Sequence, residues 1–340
     1  MHAGSGDRAP WRAMVLTAPG RPLQEVWQQQ LPRPAAGQVR IRMSACGVCR
    51  TDLHIVDGEL PWPGHAVVPG HEIVGRIGAL GPGVTGLAVG QRVGVPWVGW
   101  TCGRCAYCLA GRENLCPQAE FTGWQRDGGY ADQVLADARH VFAIPEGYSD
   151  AQAAPLLCAG LICWRAYTMA GAEAHRIGLY GFGAAAHLIA QIARHQGREV
   201  HAFTRPGDTA AQALARELGA AWVGDSNQTP SVPLDAALLF APVGALVPMA
   251  LRAVRPGGTV VCAGIHMSDI PSFPYAWLWG ERRIVSVANL TRRDGDEFLR
   301  VAASVALQIR THAYPLDRAN QALDDLRAGR LTGAAVLLGR

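Results

Sequence analysis

Long apolar runs and blocks of like charge are both missing from this sequence of 340 residues. No stretch of about 18 apolar residues is present, so we expect no helix that spans a bilayer. Because the net charge of +4 is spread thinly, the sequence predicts no surface for nucleic acid or membrane. With 49% hydrophobic and 17% charged residues, the composition is typical of a well-packed soluble protein with about two domains.

The N-terminus also lacks the apolar segment of a secretory signal. Its first twelve residues, MHAGSGDRAPWR, are mostly small or polar. We therefore expect a cytoplasmic protein, in a compartment where thiols stay reduced. In that compartment, closely spaced cysteines are metal ligands more often than disulfides.

Cysteine is scarce, yet four of the nine cysteines fall within fifteen positions. Their spacing is C-x2-C-x2-C-x7-C, formed by Cys102, Cys105, Cys108 and Cys116. Four thiolates fill the tetrahedral shell of zinc and leave no position for water or substrate, so the spacing predicts a structural zinc site. A zinc-bearing binding module carries similar sets, but it would show clustered basic residues, and only Arg104 and Arg112 lie inside this one.

Three other segments offer further metal-type side chains: CGVCRTDLH at 46–54, PGHEIVG at 69–75 and PLLCAG at 155–160. Cys49, His71 and Cys158 would form a Cys2His set with an open fourth position, as catalytic zinc in a dehydrogenase requires. The residues alone do not show that the three meet in space. Cys158 lies in an apolar run and is equally a candidate for the core.

A glycine-rich turn follows a short apolar strand predicted over residues 177–180. The turn is Gly181-Phe182-Gly183-Ala184-Ala185-Ala186, which matches the dinucleotide pattern G-x-G-x-x-A. Gly181 permits the tight turn, Gly183 lets the backbone approach a pyrophosphate, and Ala186 allows the helix to pack on the strand. The helix that follows shows one apolar face and stops at Gly197, and its N-terminus would face the phosphate.

The alternation continues beyond this unit. Further buried strands are predicted over residues 198–204, 234–240, 259–265 and 282–288, and a helix over residues 245–254, which ends at Pro256-Gly257-Gly258. Strands that alternate with helices predict an α/β fold with a doubly wound parallel sheet.

Taken together and in this order, the motifs resemble those of the zinc-dependent alcohol dehydrogenases of the medium-chain dehydrogenase/reductase superfamily. The resemblance runs from about residue 13 to the C-terminus. It implies a GroES-like catalytic domain over residues 1–159 with a structural zinc lobe at about 97–117, a Rossmann domain over 160–288, and a return to the catalytic domain over 289–340. It also implies two zinc ions per subunit, NAD(P)(H), and a homo-oligomer, a tetramer rather than a dimer.

The resemblance also assigns roles to single residues around the open zinc site. Cys49, His71 and Cys158 match the catalytic zinc ligands, and Glu72 matches an acid that can approach the metal when a ligand exchanges. Asp52 matches a carboxylate that orients His71. The other four cysteines of the 102–116 segment match the structural zinc lobe.

Two further groups follow from the same resemblance. Thr51 and His54 match the protein members of a proton relay, in which a histidine exchanges protons near neutral pH. Leu60, Trp97 and Trp124 match positions that line the alcohol pocket, and two indoles would favour small or flat substrates. The alternative is that the tryptophans only pack the cleft between the domains.

The end of the second strand of such a domain decides between NAD and NADP. An NAD site places Asp or Glu about 20 residues past the glycines, where this chain has Thr204 followed by Arg205. Threonine cannot repel a 2′-phosphate and arginine would attract it, so the sequence favours NADP(H), unless Arg205 is only a solvated loop residue. Asp208 is predicted to cap the next helix. Ala334 stands where the family often has a pyrophosphate-binding arginine, which gives Arg50 more of that contact.

The function implied is reversible hydride transfer between a small alcohol, primary by preference, and NAD(P)+, which yields the aldehyde. An NADPH-dependent aldehyde reductase of the same superfamily is the alternative, because one site serves both directions. A metal-free quinone-reductase-like relative would lack the Cys/His/Cys set. No nucleic-acid or membrane partner is expected.

Overall fold

The structure is a computed structural model, and it describes residues 10–340. The expectation that the N-terminus carries no secretory signal falls, for residues 1–9, outside the described part of the chain. The strands are β1 (Trp11–Val15), β2 (Gln24–Gln28), β3 (Gln38–Val48), β4 (Glu72–Leu80), β5 (Arg92–Val95), β6 (Val98–Trp100), β7 (Glu120–Phe121), β8 (Gln133–Asp137), β9 (Phe142–Ala143), β10 (Arg176–Tyr180), β11 (Glu199–Thr204), β12 (Trp222–Asp225), β13 (Leu234–Leu239), β14 (Val254–Cys262), β15 (Arg283–Ser286), β16 (Thr311–Pro315) and β17 (Ala334–Leu338). The helices are α1 (Arg50–Val56), α2 (Ala106–Leu109), α3 (Asp150–Ala153), α4 (Ala159–Met169), α5 (Ala184–His195), α6 (Thr209–Glu217), α7 (Leu246–Ala253), α8 (Tyr275–Leu278), α9 (Arg292–Ser304) and α10 (Ala319–Arg327). Short 3₁₀ segments lie at Glu113–Leu115, Ala138–His140, Ala154–Leu157 and Leu316–Arg318.

The first of two compact units is rich in β-structure. It comprises the described residues through Cys158, together with Thr291–Ala303 and Ile309–Arg340. Its seven-stranded sheet has the order β16-β17-β3-β4-β5-β9, with β8 also paired to β3. β17 runs antiparallel to β3 and ends its pairing at Val48. The last strand of the chain therefore braces the segment that leads directly into Cys49.

Side-chain alternation explains why β3 lies at the centre of this sheet. Val39, Ile41 and Met43 are fully buried and face one core, whereas the residues between them are more exposed. This two-residue period is that of an antiparallel strand with one face on the core. The core fixes the register of β3 against β4, which sets Gly47 opposite Glu72.

The second unit comprises Ala159–Leu290 and Ser304–Gln308. Its six strands are all parallel, in the order β12-β11-β10-β13-β14-β15. Counted from β10, this is the 3-2-1-4-5-6 order of doubly wound dinucleotide-binding domains. Apart from Arg176 and Asp235 near their N-terminal ends, the central strands β10 and β13 are apolar and buried on both faces, as in other parallel sheets. The predicted fold class, a β-rich unit plus a doubly wound parallel sheet, is confirmed.

One strand boundary differs from the prediction. The sequence predicts that Pro256-Gly257-Gly258 separates a helix from a strand, but β14 already begins at Val254. Val254 pairs with Leu234, and the next pair is Thr259 with Ala236, so the register shifts between them. The Pro-Gly-Gly segment is therefore an excursion within the strand.

Within residues 10–340, no helix combines the length and the apolar composition that a membrane crossing requires.

Candidate active site

Four side chains of the first unit converge on one point. Ligand atoms of Cys49, His71, Glu72 and Cys158 all lie within 4.8 Å of one another. The Sγ atom of Cys49 is 3.1 Å from Nε2 of His71 and 4.0 Å from Sγ of Cys158. Cys49 immediately precedes α1, His71 immediately precedes β4, and Cys158 follows a 3₁₀ segment. The three ligands predicted from distant parts of the sequence thus meet in space.

A capping box orients Cys49. Its backbone N–H donates to Oδ2 of Asp52 at 2.8 Å, and its sulfur accepts a hydrogen bond from the N–H of Thr51 at 3.3 Å. The other carboxylate oxygen of Asp52 lies 3.2 Å from Nδ1 of His71. The Asp52 carboxylate therefore has two roles. It caps the start of α1, which positions the Cys49 thiol, and it orients the His71 ring so that Nε2 faces that thiol.

The contact between the Cys49 and Cys158 thiols shifts their pKa values in opposite directions. The hydrogen bond with Cys158 lowers the pKa of Cys49 well below its ordinary value, against the effect of burial and with help from the neighbouring His71. The same bond, together with burial, raises the pKa of Cys158. Burial alone would lower the pKa of His71, but the charges of Cys49 and Asp52 outweigh it and raise that pKa.

The donor set fits a divalent, sulfur-tolerant metal ion. Asp52 is 0% exposed and Glu72 is 3% exposed, and burial raises the pKa of both carboxyl groups. Two carboxyl groups and two thiols therefore surround a single imidazole, and buried acids in such surplus require a cation. Two sulfurs and one imidazole nitrogen are ligands that zinc prefers.

Gly47 makes room for Glu72. A Cβ atom at Gly47 would lie 1.8 Å from Oε2 of Glu72 and 2.9 Å from its Cβ. The carboxyl group therefore occupies the space that only a glycine leaves on β3, beside the metal-type cluster.

The relay candidates lie on α1. Thr51 is buried, and His54 follows three positions later with its Nδ1 hydrogen-bonded to Oε2 of Glu59. Arg50, the first residue of α1, is exposed. Residue types alone did not identify Glu59, although an acid just after an Asp-Gly turn is a usable signal.

Three aromatic rings, which we call the aromatic wall, stack on one another beside the metal-type cluster. Trp97 meets the ring of His71 edge-on, with 5.1 Å between centroids. Trp97, Phe121 and Trp124 are mutually near-parallel, with centroids 4.9 to 6.1 Å apart. Leu60 packs partly buried against the same core as the two tryptophans. Phe121 is a member of this wall that the sequence did not reveal.

The second cysteine set forms its own cluster. Ligand atoms of Cys102, Cys105, Cys108 and Cys116 also lie within 4.8 Å of one another. Gly103 and Gly111 adopt positive φ, which lets the chain turn back on itself. Hydrogen bonds from the N–H groups of Arg104 and Cys105 lower the pKa of Cys102 to about 6, which favours the thiolate that zinc requires. All four ligand positions are sulfur.

The glycine-rich turn joins β10 to α5 in the second unit. Gly181 has φ +86°, and a Cβ there would meet the backbone of Ala241 at 2.9 Å. A Cβ at Gly183 would meet nothing within 4 Å, so the backbone is open on that side. Phe182 and Ala186 are buried, Ala184 is exposed, and Ala185 is half-buried. Their contact with a dinucleotide stays a prediction.

At the end of β11, strand pairing adds a residue that counting along the sequence from the glycine-rich turn does not find. Thr204 is 1% exposed, and its hydroxyl donates to the Arg205 carbonyl and accepts from Gln212. Arg205 is exposed. Asp225 lies opposite Thr204 in the register and accepts from the same Gln212 side chain at 2.9 Å. Strand pairing thus brings a carboxylate beside the position that counting assigned to threonine.

The chain resembles known proteins over nearly its whole length. Residues 35–146 match the alcohol dehydrogenase GroES-like domain family. The chain is 48% identical over 324 residues to the protein named "Probable alcohol dehydrogenase AdhA" of Mycobacterium tuberculosis, with 93% of each covered. A cobalt- and zinc-bound thermostable alcohol dehydrogenase from Pyrobaculum aerophilum matches with a TM-score of 0.85 at 25% identity, over 97% of this chain and 100% of that one. An acetophenone reductase from Geotrichum candidum, solved with NAD, matches with a TM-score of 0.84 at 27% identity over 97% of both.

Proposed function

This chain belongs to the zinc-dependent alcohol dehydrogenases of the medium-chain dehydrogenase/reductase superfamily, and from that premise we propose that it interconverts small primary alcohols and aldehydes with NADP(H). The observation that carries the proposal is the convergence of Cys49, His71 and Cys158, with Glu72 beside them, within 4.8 Å. The second cysteine set offers four thiolates, which would fill a tetrahedral shell, whereas the fourth group here is the Glu72 carboxyl, which could give way to a substrate oxygen.

The residues present would hold zinc through Cys49, His71 and Cys158. Zinc there would supply a Lewis acid for the alcohol oxygen, and NADP+ would supply the acceptor for the hydride. Asp52 keeps Nε2 of His71 directed at the ligand cluster, since it lies 3.2 Å from Nδ1. The Glu72 carboxyl group lies near the other three side chains, so it could approach a bound metal while another ligand exchanges.

Thr51 and His54 would move the proton that alcohol oxidation releases. Thr51 is two residues from Cys49 on α1, so its hydroxyl belongs to the same helix turn as the metal-type cluster. The side chain of His54 is 17% exposed, which places it between the interior and solvent. A histidine at this depth can pass a proton between the interior and water.

The aromatic wall supports flat substrates. Trp97 is next to His71 and stacks near-parallel with Phe121 and Trp124, so these rings form an apolar surface in which the ring planes share one orientation. An aryl or allyl alcohol can lie against such a surface with its hydroxyl towards the metal ligands. Benzyl alcohol is therefore expected to give a higher kcat/KM than a branched aliphatic alcohol of similar volume.

The preference for NADP(H) depends on Arg205. This guanidinium is exposed at the end of β11, where it can meet a 2′-phosphate, whereas the Thr204 hydroxyl is already engaged inside the unit. Gly181 through Ala186, and Arg50 in the first unit, are the proposed contacts for the pyrophosphate.

Two features support the proposed assembly and location. β15 lies at an edge of its sheet, and Tyr275 and Trp279 just before it are 67% and 65% exposed. A strand edge beside exposed aromatic rings suits a contact between subunits of a homo-oligomer, a tetramer by the family resemblance. All nine cysteines are free thiols, which suits the reducing cytoplasm. Light scattering during gel filtration tests the assembly.

The central experiment combines metal content, cofactor binding and turnover. The purified protein is expected to contain two zinc ions per chain, one per cluster. Fluorescence titration should show tighter binding of NADPH than of NADH. Cys49→Ser and His71→Ala should each lose one zinc and nearly all alcohol oxidation. Full turnover in either variant, with the zinc at that site lost, would refute the function proposed.

A further inference from the structure

The loop after α1 places an acid against the relay candidate His54. Nδ1 of His54 forms a hydrogen bond with Oε2 of Glu59. The His54 side chain is 17% exposed and the Glu59 side chain 56% exposed. The pair therefore leads from the helix that Cys49 caps out to solvent.

The local sequence builds this contact through the backbone. Gly58 adopts φ +79°, and its N–H donates to the carbonyl of Ile55 at 3.2 Å. The N–H of Glu59 donates to the carbonyl of His54 at 2.9 Å. A left-handed glycine with these two bonds is a Schellman turn, which ends α1. The turn holds the backbone of Glu59 beside that of His54. Only the side-chain torsions of Glu59 must therefore be fixed for its carboxylate to reach the His54 ring.

The contact selects one form of the imidazole. An ionised carboxylate only accepts hydrogen bonds, so Nδ1 of neutral His54 carries the hydrogen and Nε2 carries the lone pair. We propose that Glu59 is a positioning residue that holds His54 in the tautomer whose Nε2 can accept the substrate proton. The inference rests on the function proposed above.

The proton balance is simple. During alcohol oxidation the O–H bond breaks and its proton passes by way of the Thr51 hydroxyl towards Nε2 of His54, while the C–H electron pair leaves with the hydride for NAD(P)+. The imidazolium then gives one proton to water, so each turnover releases one proton. The Glu59 carboxylate keeps its hydrogen bond to Nδ1 throughout, so the ring stays in place while Nε2 takes up and releases the proton.

Kinetics with matched variants test the role. Glu59→Gln keeps the shape but replaces the carboxylate, and it should lower kcat for alcohol oxidation near pH 7 by about 10-fold with little change in KM, less than the 10²–10⁴ of a lost acid–base group. Glu59→Asp should recover part of the rate. Glu146→Gln, which alters another exposed glutamate, should behave as wild type. When His54 is already alanine, Glu59→Gln should cost nothing more, and independent additive losses would overturn the proposal.

A spectroscopic readout separates this inference from the function itself. Nitrogen chemical shifts of ¹⁵N-histidine-labelled protein report the tautomer of each ring, and His54→Ala assigns the signal. Wild type and Glu146→Gln should show His54 with the hydrogen on Nδ1, and Glu59→Leu, whose side chain has no acceptor, should not. A His54 signal that is identical in wild type and Glu59→Leu overturns the pairing. An enzyme with no alcohol oxidation in any variant would reject the proposed function, and the nitrogen shifts would still decide the role of Glu59.

Discussion

A single methyl group added at Gly47 should damage the metal-type cluster from the neighbouring strand. Gly47→Ala places a Cβ 1.8 Å from Oε2, 2.7 Å from Cδ and 2.9 Å from Cβ of Glu72. Rotation of the glutamate side chain can relieve the first two contacts. It cannot relieve the third, because the Cβ of Glu72 moves only with the backbone of β4. The substitution must therefore shift β4 next to His71 as well as displace the carboxyl group.

The magnitude follows from two opposing effects. Overpacking a well-packed interior costs about 1–3 kcal/mol. Replacing glycine restricts the unfolded chain and returns about 0.4–1 kcal/mol where the native conformation tolerates alanine. We expect a net loss of about 1–2 kcal/mol in the free energy of unfolding, which lowers Tm by about 2–8 °C for a unit of 150–250 residues. Zinc affinity at this cluster should fall by about 10-fold, as when a partner of the ligands is disturbed.

Calorimetry and a zinc competition titration with a chromophoric chelator measure both effects. Gly78→Ala is the matched control, because it lies on β4 itself and a Cβ there has no contact closer than 3.6 Å. Its Tm and zinc affinity should match those of wild type. If Gly47→Ala also unfolds within about 1 °C of the control and binds zinc equally well, the space beside Gly47 is not what holds Glu72 in place.

Three further outcomes are expected. Burial holds the pKa of His140 at about 4, below the value of about 6.5 in an unfolded chain. As the pH falls, the unfolded state therefore takes up a proton before the folded state does. The contribution of neutral His140 to stability is complete above about pH 6.5, and it is lost at up to about 1.4 kcal/mol per pH unit down to about pH 4. His140→Gln should flatten that slope in urea titrations at pH 5 and 7, and an unchanged slope would contradict the assignment. Thr204→Asp with Arg205→Ala should shift the ratio of kcat/KM values towards NAD, with most of the shift already present in Arg205→Ala because Thr204 is buried; an unchanged ratio would show that this loop does not read the phosphate. Cys102→Ser should remove one zinc per chain and lower Tm, while kcat measured below the unfolding temperature stays near that of wild type. A loss of kcat as large as that of Cys49→Ser would mean that the two clusters are not independent.

Elements with strong local signals could be predicted from the sequence. Apolar periodicity, together with the glycines at the turn and after the helix, predicts a strand over residues 177–180 and a helix after it. These elements are β10 and α5. Asp208 caps α6 as predicted, with its side chain accepting from the N–H of Ala211 at 3.0 Å. The start of β14 was missed because a strand can continue on both sides of an excursion, and only pairing with Leu234 reveals it.

The candidate site divides in the same way. The cysteines and histidines of the two clusters could be picked out because their spacing and their chemistry are typical of metal ligands. Glu59, Phe121 and Asp225 could not, because these residue types serve many roles and their part here depends on their neighbours in space. Asp225 reaches the end of β11 through strand register, and register depends on the whole sheet.

The metal-type cluster and the folding of the first unit are thermodynamically linked. Cys49 meets His71 across 22 positions and Cys158 across 109 positions of sequence, so these side chains are together only when the β-rich unit is formed. An ion that binds the assembled cluster and not the unfolded chain must stabilise that unit. The same arrangement concentrates two buried carboxyl groups and two thiols around one imidazole, which opposes folding when no cation neutralises them. We therefore expect the β-rich unit to depend on a cation bound at this cluster for part of its stability.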